Sequence, residues 1–277
     1  MQSQRTLAKS ISYEGLGLHT GRTIRMSIHP ASPDSGVVFR RVDLPERLEI
    51  PARLENVVDT RLNTTLGIGT VKVMTVEHLL ASLSGMGVDN AIVELDGGEV
   101  PVGDGSAELF CRLIQEAGVV DQPQARVYRG LSSPVSVSDK GRYMVALPAD
   151  EFRISFTFVT DHPVIGTQYA DYAITEEVFR EQLAAARTFA FAHQVEEMRR
   201  QGRALGGSLD LAVVVGDEGY VNELRFPDEI VRHKILDIVG DLALLGPMKM
   251  HIIAIKSGHQ LDAWLAQRIS EVAVGWN

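Results

Sequence analysis

The sequence predicts an α+β protein built from two similar halves. Its 277 residues are enough for two domains of ordinary size, which run to roughly 100–200 residues each. Strand-like segments precede helix-like segments in the first half, and the same order returns in the second. The alternation breaks at residues 121–124, where Pro123 lies. We therefore predict an N-terminal domain over residues 1–123 and a C-terminal domain over residues 124–277.

The first half begins with strands and ends with helices. Alternation of polar and apolar side chains is the period of a half-buried strand, and it occurs at residues 23–29, 37–41, 48–52, 90–95 and 99–102. Residues 65–73 predict a hairpin that turns at its glycines. After Thr75, which is a good N-cap residue, the apolar spacing becomes helical. A second helix is predicted over residues 106–117.

The second half repeats this order. The predicted strands are residues 133–138, 143–147, 153–160, 168–174, 211–215 and 250–255. The predicted helices are residues 175–187, 191–202, 227–246 and 260–270. The longest helix has Pro227 at its start and Gly246 at its end, which is the usual placement of these two residue types.

Composition excludes several classes of protein. Lys and Arg number 27 against 36 Asp and Glu, so the formal charge is −9, which argues against nucleic acid as a partner. Hydrophobic residues make up 45% and charged residues 23%, which excludes a disordered chain. The single cysteine, Cys111, excludes a disulfide framework, and any metal ion must be held by histidines and carboxylates. No apolar run suggests a transmembrane segment or a secretory signal, so we expect a cytoplasmic protein.

The predicted helix over residues 227–246 carries a polar stripe. His233, Asp237 and Asp241 follow one another at intervals of four residues, with Lys234 beside them. The remaining circumference is apolar, so the stripe must face a cavity or paired groups. A His and an Asp one turn apart can share a metal ion. The spacing alone nevertheless favours the simpler reading of an i,i+4 charge pair or a capped core histidine.

Two further segments hold candidate catalytic residues. Glu77 and His78 open the helix after Thr75. A Glu beside a metal-binding His can serve as a general base, but an acidic residue is also ordinary in a solvated first helical turn. His259 follows a predicted strand on a glycine-flanked loop, where it is either an acid or base or a surface histidine.

Longer motifs identify a family. Residues 75–83 (TVEHLLASL) with 87–90 (GVDN) resemble the signature of the UDP-3-O-acyl-N-acetylglucosamine deacetylases, zinc amidases of lipid A biosynthesis. The resemblance extends along nearly the whole chain. It includes residues 4–7 (QRTL), 15–21 (GLGLHTG), 59–62 (DTRL), 101–107 (PVGDGSA), 162–166 (HPVIG), 186–189 (ARTF), 225–237 (RFPDEIVRHKILD) and 256–259 (KSGH).

The resemblance implies a fold and a set of residue roles. The fold is two α+β domains whose helices are sandwiched between two β-sheets. The implied metal ligands are His78, His233 and Asp237. The implied catalytic residues are Glu77 as general base, His259 as a cation and acid, Thr188 as a donor to the tetrahedral intermediate and Asp241 as the support of the histidine. The implied substrate-binding residues are Lys234 near the diphosphate, Phe189, Leu62 and Phe191.

The same resemblance implies the reaction. The expected activity is metal-dependent hydrolysis of the N-acetyl group of a UDP-linked, acylated amino sugar, with Zn²⁺ as cofactor and Fe²⁺ as an alternative. Residues 191–215 match the insert that forms the acyl-chain passage, although a core helix is the simpler reading of that stretch. We expect a monomer. A metal amidase for another acylated amino sugar and a non-catalytic binding protein are the alternatives. One departure is Asn63, where several relatives have a cysteine.

Overall fold

A computed structural model describes residues 2–276 of the chain, so Met1 and Asn277, the outer limits of the two predicted domains, lie outside the described residues. The strands of the first half are β1 (Ser3–Leu7), β2 (Ile11–Leu16), β3 (Thr23–Pro30), β4 (Val37–Arg41), β5 (Glu49–Pro51), β6 (Val57–Asp59), β7 (Thr65–Ile68), β8 (Val71–Val73), β9 (Ala91–Leu95) and β10 (Val119–Ala125). Those of the second half are β11 (Tyr128–Gly130), β12 (Val135–Asp139), β13 (Arg142–Pro148), β14 (Phe152–Val159), β15 (Thr167–Ala173), β16 (Phe189–Phe191), β17 (Val213–Gly216), β18 (Gly219–Tyr220), β19 (Met250–Ile255) and β20 (Val274–Trp276). The α-helices are α1 (Glu77–Gly85), α2 (Glu108–Ala117), α3 (Glu176–Val178), α4 (Ala192–Arg200), α5 (Glu229–Leu242) and α6 (His259–Val272). Short 3-10 turns span Leu54–Asn56 and Ala243–Leu245, and a π-helical turn spans Phe179–Leu183.

Each half contains a five-stranded sheet, and the two sheets have the same topology. The strand orders are β2-β3-β9-β4-β5 and β12-β13-β19-β14-β15. In both sheets the central strand, β9 or β19, is the last of the five along the chain, and it is antiparallel to one neighbour and parallel to the other. This identity of order confirms the two similar halves that the sequence predicts.

The alternation of side chains places one face of each sheet against the core. In β3, Ile24, Met26 and Ile28 are buried while the residues between them are not. In β19, Met250 and Ile252 are buried in the same alternating way. Burial of these apolar side chains is the main free-energy gain that holds the sheets against the helices.

The helices lie between the two sheets. Helix α1 packs against α2 on one side and α5 on the other, and α5 packs in turn on α6 and β14. One continuous core joins both halves through buried side chains such as Leu79 and Leu83 of α1 and Val239 and Leu242 of α5. The layer order of sheet, helices and sheet is therefore as expected.

The insert forms a small unit of its own beside this sandwich. Strands β16, β17 and β18 make a three-stranded sheet, and α4 packs on β16 and β17. A separate apolar cluster of Ile165, Val213, Val215 and Ile230 supports it. The helix and the strand predicted within residues 191–215 are both present.

Three local predictions are wrong. Thr75 is not an N-cap residue: α1 begins at Glu77, and Thr75 has a φ of 58°. Residues 99–102 do not form a returning strand, because they make isolated bridges with Met74 and Gly17. The helix predicted over residues 175–187 is interrupted, since α3 passes into the π-helical turn.

The predicted domain boundary falls inside a strand. Pro123 lies within β10, which pairs antiparallel with β1. The strand that ends the first half thus runs two residues past the predicted limit. The division into residues 1–123 and 124–277 stays a prediction.

Two single features complete the description of the fold. Cys111 is buried, and burial raises the pKa of its thiol to about 12, as a structural cysteine requires. Among the helices of residues 2–276, none is long and apolar enough to cross a membrane.

The close approach of α5 to α1 in the core predicts the effect of a substitution on stability. A Cβ added at Gly240 of α5 would lie 2.1 Å from the carbonyl oxygen of Glu77 in α1. We expect Gly240→Ala to lower the free energy of unfolding by about 1–3 kcal/mol, although alanine is the better helix former. Urea unfolding measures the change. Gly275→Ala is the control, because a Cβ there meets only Val127, at 3.9 Å, and equal stability of both variants would contradict the prediction.

Candidate metal centre

Helices α1 and α5 bring together two histidines and an aspartate. His78 comes from the first turn of α1, and His233 and Asp237 lie one turn apart on α5. Nε2 of His233 is 3.3 Å and Nε2 of His78 is 3.7 Å from Oδ1 of Asp237. The two rings meet edge to face, with centroids 5.0 Å apart. All three residues are buried, and one ligand atom from each lies within 4.8 Å of the others.

The hydrogen bonds of this group leave its inward atoms free for a cation. Nδ1 of His233 lies 3.0 Å from the carbonyl oxygen of Ala186, which favours the tautomer with the proton on Nδ1 and a lone pair on Nε2. Oδ1 of Asp237 is buried without a hydrogen-bond partner among the described residues. A buried carboxylate oxygen is costly unless something satisfies it. Two imidazole nitrogens and one carboxylate oxygen are a donor set that fits a divalent metal ion.

Electrostatics keep two of these ligands, His233 and Asp237, in the protonation states that bind metals, while the nearby carboxylates outweigh burial and raise the pKa of His78. Burial lowers the pKa of His233 to about 4, so the ring is neutral at physiological pH. Burial alone would raise the pKa of Asp237, but His233 and the Lys234 ammonium hold it well below its usual range. Nζ of Lys234 donates to Oδ2 of Asp237 over 2.6 Å. Lys234, expected near a diphosphate, is buried and paired with this carboxylate.

Glu77 lies next to His78 at the buried start of α1. Only 3% of Glu77 is exposed, so the solvated first turn that the sequence allowed is wrong. The backbone N–H of Thr64 donates to Oε2 of Glu77 over 3.0 Å. Burial raises the pKa of Glu77, and His259 and His78 oppose the rise. A carboxylate with a raised pKa is a better proton acceptor.

His259 and Asp241 form a second pair on the same side of α5. His259 is the first residue of α6 rather than part of a loop, and its Nδ1 lies 2.7 Å from Oδ2 of Asp241. Burial alone would lower the pKa of His259, but Asp241 raises it to about 10, so the ring is a cation. The hydroxyl of Thr64 donates to the other oxygen of Asp241 over 2.5 Å.

Thr188 and Phe189 stand at the edge of the group. The backbone N–H of Thr188 donates to the carbonyl of Gly105, and its own carbonyl accepts from Val213, which fixes the segment that also carries Ala186. The ring of Phe189 is 6.5 Å from that of His233 and 6.3 Å from that of Phe191. A row of aromatic rings thus leads from the histidine into the insert.

Leu62 lies further out, at a cavity between the insert and the loop after β6. The cavity has a volume of about 550 Å³. Leu62 is exposed and lines it together with Met198 of α4. The neighbouring Asn63 is buried and accepts a hydrogen bond from the hydroxyl of Thr65.

Two further buried carboxyl groups near the site, those of Asp262 and Glu229, are not among the predicted site residues. Asp262 is fully buried, and neither of its oxygens has a hydrogen-bond partner among the described residues. Burial and the nearby Asp241 raise its pKa to about 7. Glu229 accepts from Arg187 and from the backbone of Arg225, and so fixes the segment before Thr188. Glu229 lies inside the motif over residues 225–237, but its partner Arg187 is far away in sequence, so no spacing rule reveals the pair.

A buried group of two histidines and one carboxylate, with a buried glutamate beside it and a cationic histidine nearby, is typical of metal-dependent hydrolases. The fold and the site define that class of protein. A family profile described as UDP-3-O-acyl N-acetylglycosamine deacetylase matches residues 4–271. The chain belongs to this family.

Relatives from three bacteria agree in name, UDP-3-O-acyl-N-acetylglucosamine deacetylase. The protein of Syntrophotalea carbinolica is 46% identical over 276 residues, which covers 99% of this chain and 89% of the relative. That of Myxococcus xanthus is 47% identical over 270 residues, or 96% of this chain and 86% of the relative. That of Chromobacterium violaceum is 42% identical over 279 residues, or 99% of this chain and 92% of the relative.

The ligand geometry predicts a measurable metal dependence. We expect the purified chain to bind one divalent ion, and His233→Ala to weaken binding more than about tenfold, since loss of even an outer-shell partner costs that much. Metal content and the rise of Tm with added Zn²⁺ measure the effect. His193→Ala is the control, because His193 is exposed on α4. A His233→Ala protein that keeps its ion as tightly as the wild type would contradict the assignment.

Proposed function

We propose that the chain removes the N-acetyl group from a UDP-linked 3-O-acyl-N-acetylglucosamine by hydrolysis, releases acetate and thereby performs the committed step of lipid A biosynthesis. The observation that carries this proposal is the buried group His78, His233 and Asp237 beside Glu77, in a chain of the deacetylase family. That the enzyme works as a monomer in the cytoplasm stays a prediction.

The three ligands are proposed to hold Zn²⁺, with Fe²⁺ as the alternative. Imidazole nitrogens suit both ions, and one carboxylate completes a donor set common to such sites. When bound, the ion would supply Lewis acidity, which lowers the pKa of a water molecule and polarises an amide carbonyl. The ion pair with Lys234 keeps Asp237 ionised and oriented for this task.

Glu77 is proposed as the general base. It follows directly before the ligand His78 in α1, so its carboxylate lies beside the site where water would be held. The hydrogen bond from the backbone of Thr64 fixes one oxygen, and the other is free to take a proton from the attacking water. Proton transfer to a positioned carboxylate contributes typically 10²–10⁴-fold to a rate.

His259 and Thr188 are proposed to stabilise the oxyanion that forms when water attacks the amide carbon. The cationic ring of His259 supplies positive charge, and Asp241 orients the ring and keeps its proton. The hydroxyl of Thr188 is proposed as a further donor. Donors held in advance at a developing negative charge are among the largest contributions to catalysis. The proton of His259 is then available to the departing amine.

Substrate binding is proposed to use the insert. Phe189 and Phe191 extend the apolar wall from His233 toward α4. The cavity beyond has a mostly polar lining, in which Leu62 and Met198 are the apolar side chains. An acyl chain would bury apolar surface there, at roughly 25 cal/mol per Å². Lys234 is proposed to contact the polar end of the substrate, although its own hydrogen bond goes to Asp237.

Removal of the proposed base tests the function. We expect Glu77→Gln to lower kcat for acetate release from the UDP-linked acylated amino sugar by about 10²–10⁴-fold, because the amide cannot accept the proton. Turnover assays with matched metal content measure it. Glu46→Gln is the control, since Glu46 is exposed in a loop. Wild-type turnover by Glu77→Gln would exclude the proposed mechanism, and a wild-type chain without turnover would indicate a binding protein.

The pair of His259 and Asp241 predicts a change in pH dependence. Because His259 must be protonated, activity is retained below its pKa and is lost as the pH rises through that pKa. Asp241 raises the pKa, so Asp241→Asn should shift the basic limb of kcat/KM to lower pH by at least about one unit. Rate profiles from pH 6 to 10 measure the shift. Asp161→Asn, at an exposed position, should leave the limb in place, and an unmoved limb in Asp241→Asn would refute the role.

A further inference from the structure

Glu99 is a fully buried carboxylate outside the group described above. One oxygen accepts from the backbone N–H of His19 over 2.8 Å, and the other accepts from the N–H of Thr20 over 2.9 Å and from its hydroxyl over 2.7 Å. The hydroxyl of Thr75 donates to the first oxygen over 3.2 Å. Burial of a carboxylate is costly unless its lone pairs are satisfied. The four bonds therefore join Glu99 to two segments, the loop over residues 17–21 and the segment before α1 that contains Thr75.

The first of these segments lies against the insert. The carbonyl of Leu18 accepts from the backbone N–H of Gly206 over 3.0 Å, and that of His19 accepts from Leu205 over 3.4 Å. A Cβ added at Gly206 would lie 2.4 Å from the carbonyl oxygen of Gly17. The loop over residues 17–21 therefore contacts, at backbone distance, the loop of the insert that follows α4.

The second segment is the start of α1. Thr75 has a φ of 58°, a conformation that β-branched residues rarely adopt. Its neighbour Met74 donates its N–H to Gly98 and accepts from Val100, both over 3.0 Å. The bond to Glu99 fixes the Thr75 side chain in this strained position, two residues before Glu77.

We propose that Glu99 is a positioning residue that joins the insert to the start of α1, so that an acyl chain held by the insert sets the reacting amide against Glu77 and the metal ligands. This inference rests on the proposed deacetylase activity. Glu99 does not touch the substrate. Its two hydroxyl partners, Thr20 and Thr75, belong to the two different segments, so the side-chain bond to each can be removed separately. The backbone N–H groups of His19 and Thr20 still donate to Glu99 in Thr20→Val, which weakens that connection without abolishing it.

Because the bonds from Thr20 and Thr75 can be removed one at a time, the proposal can be tested with two substrates. One is the UDP-linked amino sugar with its 3-O-acyl chain, and the other is the same sugar without that chain. We expect Thr20→Val to raise KM about tenfold for the acylated substrate only, with kcat within about twofold of the wild type, since one hydrogen bond to a charged group is lost. We expect Thr75→Val to lower kcat about tenfold for both substrates. Valine keeps the branched shape of threonine, and Thr70→Val, at an exposed hairpin position, is the matched control.

Amide hydrogen exchange supplies a readout that does not depend on activity. In Thr20→Val the amide of Gly206 should exchange about tenfold faster, while the amides of α1 stay protected. Glu99→Gln should accelerate both regions. Equal kinetic losses for both substrates in Thr20→Val and Thr75→Val, or unchanged exchange at Gly206, would overturn the proposal. If the wild type turns over neither substrate, the proposed function fails, and exchange at Gly206 still decides whether Glu99 joins the two segments.

Discussion

The close packing of α1 against α5 is the constraint on which the rest of the structure depends. Gly240 lets the backbone of α5 approach the carbonyl of Glu77, and only at this separation can His78 reach the His233–Asp237 pair. Helix α5 packs on β14 of the second sheet, and α1 packs on α2, which contacts β2 of the first sheet, so both five-stranded sheets help to set the distance between α1 and α5. The candidate metal centre is thus a property of the interface between the halves, and neither half contains it alone.

The repeated sheets explain why such a precise junction is possible. Both have the same strand order, and each presents one apolar face to the helices. Because the apolar faces of the two sheets cover the helices from both sides, charged groups are buried together along the polar stripe of α5, which His233, Asp237 and Asp241 form. The insert then adds an apolar wall to one end of that stripe through Phe189. The candidate metal centre and the apolar wall of the insert therefore adjoin each other.

The family resemblance predicts more of the site than periodicity and residue spacing do by themselves. Alternation found the central strands, and the helical stripe placed His233, Asp237 and Asp241 together, but spacing alone favoured a simple charge pair. The family resemblance selected the metal-binding reading. The start of α1 was misjudged because Thr75 bonds to Glu99, 24 residues away, instead of capping its own helix. Tertiary partners override local propensity in this way, and no periodicity reveals them.

The balance of charge at the site argues for a divalent ion. Four carboxyl groups, those of Glu77, Asp237, Asp241 and Asp262, are buried there, and the cations Lys234 and His259 lie against two of them. Each cation is already paired, Lys234 with Asp237 and His259 with Asp241. Buried carboxylates without partners are unfavourable, and burial raises the pKa values of Glu77 and Asp262. An ion with two positive charges beside Asp237 would offset this excess, and it would do so where the free carboxylate oxygen lies.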